Sequence, residues 1–181
     1  MISLAGISSI ETERLALRAP QGADWESWRA FAVSNRAQFI GGAMDDGIAW
    51  RAFGHAIGHW ALRGYGSFIF TLKGSDQAIG MVGPWHPFDW PEREIGWTIW
   101  QSEYEGRGLA YEAALAARQH AYDTLGWDTA VSYIHPDNHR SIALAKRLGA
   151  HLDEDAAWPK DEPCETYRHP SPDAVRAGIA A

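Results

Sequence analysis

The residues with the most chemical promise are Glu105-Gly106-Arg107-Gly108-Leu109-Ala110, set between an apolar extended run that begins at Glu94 and an alanine-rich stretch that reaches Ala114. Glycines let a backbone approach a ligand closely, and a helix starting just after them presents amide N–H groups without partners. The pattern therefore reads as a cradle for a phosphate or another anion. The same Gly-Arg-Gly also reads as an ordinary tight turn, so the rest of the chain must decide. His55 and His59 stand at i and i+4, a metal-ligand spacing, but no acidic third ligand accompanies them at a motif distance and no metal is expected. Cys164 is the one cysteine, which excludes an internal disulfide; no histidine and acid stand at the spacing a thiol nucleophile needs. Asn138-x-x-Ser141 has the form of a helix start, with Asn138 as a good N-cap.

These residues need elements to hold them. Arg14 to Arg18 alternates polar and apolar as a half-buried strand does, and Pro20 and Gly22 end it. Asp24 suits the N-cap of a helix whose apolar face is Trp25, Trp28, Phe31 and Ala32. Phe39 to Gly47 reads as a loop, and Ile48 to Leu62 as a second helix ending near Gly64. Ser67 to Leu72 and Ala78 to Gly83 should pair as a hairpin across Gly74-Ser75-Asp76-Gln77. Pro84 to Pro91 is predicted to be an aromatic loop with no regular structure, because its three prolines remove donors and fix φ.

A strand from Glu94 to Trp100, the glycine loop, and a helix from about Gly106 to Leu125 closed by Gly126 come next. A strand at Thr129 to His135, a helix from Asn138 to Leu148, and β segments near Ala150 to Glu154 and Glu165 to His169 complete the pattern. It predicts one α/β (α+β) domain spanning 1–181 with a mixed sheet, a core of about 10–169 and a frayed tail over 170–181.

Composition bounds the partners. A net charge of −7 argues against nucleic acid or an anionic membrane, both of which need clustered Lys and Arg. No cationic leader is evident, and no apolar run approaches the roughly 18 residues of a membrane span, so a cytoplasmic protein, monomeric or homodimeric, is expected. Of the ten tryptophans, Trp85, Trp90, Trp97 and Trp100 crowd beside the glycine loop. They either fill a core and interface or wall an aromatic cleft.

The order strand, Glu-Gly-Arg-Gly-Leu-Ala, helix, strand, Pro-Asp-Asn-His-Arg-Ser, helix, Arg-Leu-Gly-Ala resembles the GNAT superfamily of N-acetyltransferases. More narrowly it resembles the branch of ribosomal-protein alanine N-acetyltransferases (RimJ/RimL type), whose opening is similar to Thr12-Glu13-Arg14-Leu15-Ala16-Leu17-Arg18. The resemblance covers Ile10 to His169 and implies a mixed sheet splayed at the cofactor strand, with acetyl-CoA as cosubstrate. The family's loop pattern falls on Glu105, Gly108 and Ala110, and Glu105 departs from it, since Gln or Arg is common there. A carboxylate repels a pyrophosphate, so Glu105 is expected to point to solvent. The amides of Gly106, Arg107, Gly108, Leu109 and Ala110 would then hold the phosphates, with the Arg107 head at the rim.

By the same resemblance Thr98, Ile99 and Trp100 would pair with the pantetheine amides, as a ligand adds a strand to an open edge. Asn138 would bond the pantetheine arm, and Ser141 would lie near the sulfur and protonate the thiolate. The implied reaction is transfer of acetyl from acetyl-CoA to a primary amine of a small molecule or a protein N-terminus. It needs a base, because only the neutral amine attacks a thioester. Glu94 is the first candidate, followed by His86 and then His135. Trp85, His86 and Trp97 are candidates for binding the acceptor. The contrasting readings are a non-catalytic acyl-CoA sensor of the same fold and a binder of some other nucleotide.

Overall fold

The computed structural model describes residues 6–159 and 163–178. The readings made above for 1–5 and for the last residues of the tail, 179–181, fall outside the described residues. Among the described residues eight strands form one sheet: β1 (Ile10–Glu11), β2 (Leu15–Arg18), β3 (Phe68–Leu72), β4 (Gly80–Trp85), β5 (Glu94–Ile99), β6 (Val131–Ile134), β7 (His151–Leu152) and β8 (Glu165–Arg168). Their order across the sheet is β1-β2-β3-β4-β5-β6-β8-β7. Every neighbouring pair is antiparallel except β5 and β6, so the sheet is mixed.

Among the described residues five α-helices flank it: α1 (Trp25–Ala32), α2 (Asp46–Arg63), α3 (Leu109–Asp123), α4 (His139–Arg147) and α5 (Pro172–Arg176). The alternation of β3 sorts the two faces. Phe68 and Phe70 join a core with Leu109, Ala113, Ala114 and Ala117 of α3, while Ile69 joins the other cluster with Trp28, Phe31 and Phe53 of α1 and α2. The alanine face of α3 brings the helix axis close to the sheet, which fixes where its N-terminus lies. At the ends of α2 and α3 the expected glycines adopt left-handed φ, 76° at Gly64 and 68° at Gly126.

Three expectations need correction. Pro84 and Trp85 lie inside β4, paired with Ile95 and Glu94. The register of β3 on β4 stops at Phe68↔Val82, so Pro84 stands past the end of β3 and its missing N–H leaves no ladder bond unmade on that side. Asp24 does not cap α1 through its side chain; its carboxylate instead takes both ends of the Arg18 guanidinium, at 2.8 and 2.7 Å, and the Gln21 N–H. The stretch 172–176, expected to fray, forms α5, with Ser171 capping the Ala174 N–H and Tyr122 Oη donating to Pro170 O at 2.8 Å.

Candidate active site

Strands β5 and β6 touch at one register pair, Glu94↔Val131, and then part. On that side Val131 N–H donates to Arg93 O at 3.0 Å and Ser132 Oγ donates to Ile95 O at 2.6 Å. On the opposite side of β5, Trp100 N–H donates to Ile79 O at 2.8 Å. Backbone groups alternate along a strand, so Trp97 and Ile99 present theirs to the open edge while Thr98 turns its own toward β4.

A buried network pins the point of parting. Ser132 Oγ lies 3.0 Å from His169 Nε2, and Arg118 Nη1 lies 3.5 Å from His169 Nδ1 and donates to Leu148 O at 2.5 Å. Since Ser132 gives its hydrogen to Ile95, the tautomer that satisfies the network carries the proton on Nε2, and Nδ1 accepts from Arg118. Burial and the Arg118 charge both hold His169 neutral and lower its pKa to about 3.

The glycine loop closes one end of the open edge. Gly106 and Gly108 have φ of 69° and 74°, and Gly108 is the N-cap residue of α3. The helix therefore begins with amides at Leu109 and Ala110 that lack intrahelical partners, with Leu109 anchored in the core. From behind, Arg14 Nη1 donates to Arg107 O at 2.9 Å, and its Nε is 2.6 Å from Glu112 Oε2. Glu112 also accepts from Thr12 Oγ and Arg14 N–H, so this first-turn acid is occupied on the side of the N-terminal segment. The Arg107 side chain is exposed, its guanidinium 5.6 Å over the Tyr104 ring.

Past the parting lies a cavity of about 880 Å³, lined by Glu94, Trp97, Thr98, Asn138 and Ser141 on its sheet and α4 side. Aromatic walls come from Trp28, Phe39, Phe53, Trp85 and Trp90. Asn138 Oδ1 caps α4 by accepting from Ser141 N–H at 3.2 Å, which leaves its amide NH₂ uncommitted to that bond. Trp97 Nε1–H donates to Ser141 Oγ at 3.2 Å across the open edge, so the Ser141 hydroxyl keeps its own hydrogen to donate. Glu94 Oε2 accepts from Trp90 Nε1–H at 2.6 Å. Burial raises the Glu94 pKa to about 7, outweighing the hydrogen bonds from Trp90 and the Tyr133 backbone that favour the carboxylate.

A family profile described as an acetyltransferase (GNAT) domain matches residues 14–151. The chain belongs to the GNAT family of acetyltransferases. The crystal structure of an acetyltransferase from Agrobacterium tumefaciens is 36% identical, with a TM-score of 0.86 over 94% of this chain and 98% of that one. A GNAT-family acetyltransferase described from Bordetella pertussis is 25% identical, with a TM-score of 0.73 over 90% of this chain and 98% of that one. RimL, a ribosomal α-N-protein acetyltransferase solved with coenzyme A, is 17% identical and shares the fold, with a TM-score of 0.64 over 90% of this chain and 96% of that one.

Within this GNAT fold the residues singled out from the sequence fall into two groups. Glu94, Trp97, Asn138, Ser141 and Trp85 meet at one cavity, with the Gly106–Ala110 loop at the head of α3. Trp100 is buried among Trp28 and Phe31, and its N–H, like the backbone groups of Thr98, faces β4, so of the three residues expected to pair with the pantetheine amides only Ile99 turns to the open edge. His86 does not line the cavity; its N–H donates to His59 Nε2 at 3.0 Å, and burial lowers its pKa. His59 is buried, also bonds Tyr65 O through Nδ1 at 2.8 Å, and stacks on Trp85 with ring centroids 4.4 Å apart. It thus shapes the cavity wall through Trp85. Its partner His55 is exposed, and among the described residues no cluster suited to a metal occurs.

Glu105 requires a correction. Its carboxylate does not face solvent free of partners: it binds Arg36 and Arg140 at once. Sequence reasoning also missed the Ser132–His169–Arg118 network and the bracing of the loop by Arg14. Nothing near Arg14 in the sequence signals that brace, because its partners Glu112 and Arg107 stand 98 and 93 positions away.

Proposed function

We propose that this acetyltransferase carries an acetyl group from acetyl-CoA directly to a primary amine held in the aromatic cavity. One observation carries the reading: the open edge of β5, the Ser141 hydroxyl and the Glu94 carboxyl converge on a single cavity. The loop fits the cofactor as well, because its positive-φ glycines and the first amides of α3 form a neutral anion cradle.

Acetyl-CoA would supply a thioester whose carbonyl carbon accepts the amine. Glu94, with its pKa near 7, is carboxylate and acid in comparable amounts at neutral pH and takes the amine proton directly or through water. The Trp97 N–H on the open edge meets the charge that gathers on the carbonyl oxygen as the C–N bond forms. When the C–S bond breaks, its electron pair leaves on sulfur; the Ser141 hydroxyl passes the thiolate a proton and regains one through water, the balance being the proton that Glu94 took from the amine. No covalent enzyme intermediate is needed. Arg107 and the loop amides hold the phosphates, and the Asn138 amide holds the pantetheine arm.

The cavity also constrains the acceptor. Its lining among the described residues holds two acids, Asp89 and Glu94, and two histidines, His55 and His135, with no Lys or Arg, and rings of Trp, Phe and Tyr stand among its aliphatic walls. A protonated amine on an apolar body suits such a site, because ring faces attract cations. A protein N-terminus and an arylalkylamine both meet that description. The test is thiol release from acetyl-CoA with a panel of peptides, arylalkylamines, polyamines and amino acids. Turnover that favours apolar amines is expected. No turnover above hydrolysis would overturn the reading, and tight binding of coenzyme A without turnover would point to a sensor of the same fold.

A further inference from the structure

Glu105 stands immediately before the glycine loop and holds two guanidinium groups from distant segments. Arg36, in the turn at 35–37 after α1, reaches Glu105 Oε1 at 2.5 Å, and Arg140, in the first turn of α4, binds Oε2. Arg36 also donates from Nη2 to Ile99 O at 3.1 Å and from Nε to Trp100 O at 3.0 Å. Its fork is therefore satisfied by two carbonyls at the end of β5 and by one carboxylate. The Ile99 carbonyl belongs to the open edge, so the same side chain touches both the edge and the approach to the phosphate cradle.

Arginine forks suit phosphate oxygens at least as well as a carboxylate. Two arginines with one acid carry a net positive charge of one unit, beside a loop and helix start that already favour anions. We infer that Glu105 is an internal competitor: its carboxylate and the diphosphate of the cofactor are alternative partners for Arg36 and Arg140. Exchange of one for the other frees the Ile99 carbonyl for a ligand amide, ties the phosphate end of the site to its pantetheine edge, and weakens the hold on the coenzyme so that product leaves. The inference rests on the acetyl-CoA reading above.

The test is equilibrium binding, by calorimetry, of coenzyme A, dephospho-coenzyme A and pantetheine to the wild type, Glu105→Gln, Arg140→Gln and the double variant. Glu105→Gln should bind coenzyme A and dephospho-coenzyme A about tenfold more tightly, the scale of one to two partly exposed ion pairs, and pantetheine with unchanged affinity. Arg140→Gln should weaken both diphosphates, and in its background the gain from Glu105→Gln should shrink. Arg140 is 74% exposed, so its replacement reports on binding and not on folding. Unchanged or weaker coenzyme A binding by Glu105→Gln, or an equal gain for pantetheine, overturns the inference while the acetyl-CoA reading stands. Failure of the wild type to bind any of the three overturns both.

Discussion

Replacing Trp90 by Phe should move the acid limb of the pH–rate profile upward, and this is the sharpest test of Glu94 as the base. Glu94 sits between opposing effects: burial raises its pKa to about 7, while the 2.6 Å bond from the Trp90 indole N–H favours the charged form and holds the value down. Phe keeps a ring in the wall and removes that donor. A hydrogen bond to a charged group is worth about 1.5–3 kcal/mol, and about 1.4 kcal/mol moves a pKa by one unit. Water can recover part of the loss, so a rise of about one unit is expected.

The assay is kcat/KM for thiol release between pH 5.5 and 9. The wild type should lose about tenfold per pH unit below its midpoint near 7, and Trp90→Phe should show the same slope with its midpoint near 8. Glu94→Gln should lose about 10²–10⁴-fold and the limb itself. Stability supplies an independent check. The folded carboxyl keeps a proton that the unfolded chain, with a value near 4.5, releases, so stability falls as pH rises from 4.5 to 7, by about 3 kcal/mol in all. Glu94→Gln removes that fall and should gain more stability at pH 8 than at pH 5 in urea titrations. A midpoint that stays put in folded Trp90→Phe, or a limb retained in Glu94→Gln, would refute the assignment.

Other outcomes follow from the same geometry. Gly108→Val forces a side chain into φ 74° at the head of α3, costing about 1–2 kcal/mol of stability by thermal unfolding, and should lower coenzyme A affinity at least about tenfold by calorimetry. Ser141→Ala should reduce kcat about a hundredfold with little change in coenzyme A affinity, since it removes a proton donor and leaves the cap at Asn138 intact. His169 has a folded pKa of about 3 against 6.5 unfolded, so the stability it confers is complete above pH 6.5 and is lost as pH falls, by about 3 kcal/mol at pH 4. His169→Gln should be less stable at pH 7 and show a flatter decline toward acid in urea titrations followed by tryptophan fluorescence.

What could be read from the sequence is what local rules write into it. The glycine loop, the cap at Asn138, the left-handed glycines after α2 and α3, and the alternation of β2 each depend on neighbours within a few positions. The resemblance then assembled those pieces into a splayed sheet. Pro84 misled because a proline disqualifies a strand only where a partner would need its N–H, and where β3 stops is a tertiary fact. Glu105 misled for a related reason: its charge was weighed against a ligand alone, while its partners Arg36 and Arg140 stand 69 and 35 positions away. The Ser132–His169–Arg118 network spans 37 and 51 positions, and none of those residues carries a local signal of contact.

That network and the base candidate belong to one arrangement. Strand β5 must hold to β6 at Glu94 and be free of it by Trp97, and Ser132, oriented by His169 and Arg118, fixes the last bond before the parting at Ile95. Placing the parting there does two things at once. It leaves the Trp97 backbone groups and the Ile99 N–H without a partner on β6, with the Ile99 carbonyl held by Arg36, and it seats Glu94 in the cavity on the residue where the pairing ends. A slip of β5 by one residue against both β4 and β6 would exchange its edges, turning Trp97 and Ile99 toward β4 and Thr98 toward the opening, and would carry the carboxylate to the opposite face. The burial of an arginine and a neutral histidine beneath this strand makes structural sense as the cost of preventing that slip.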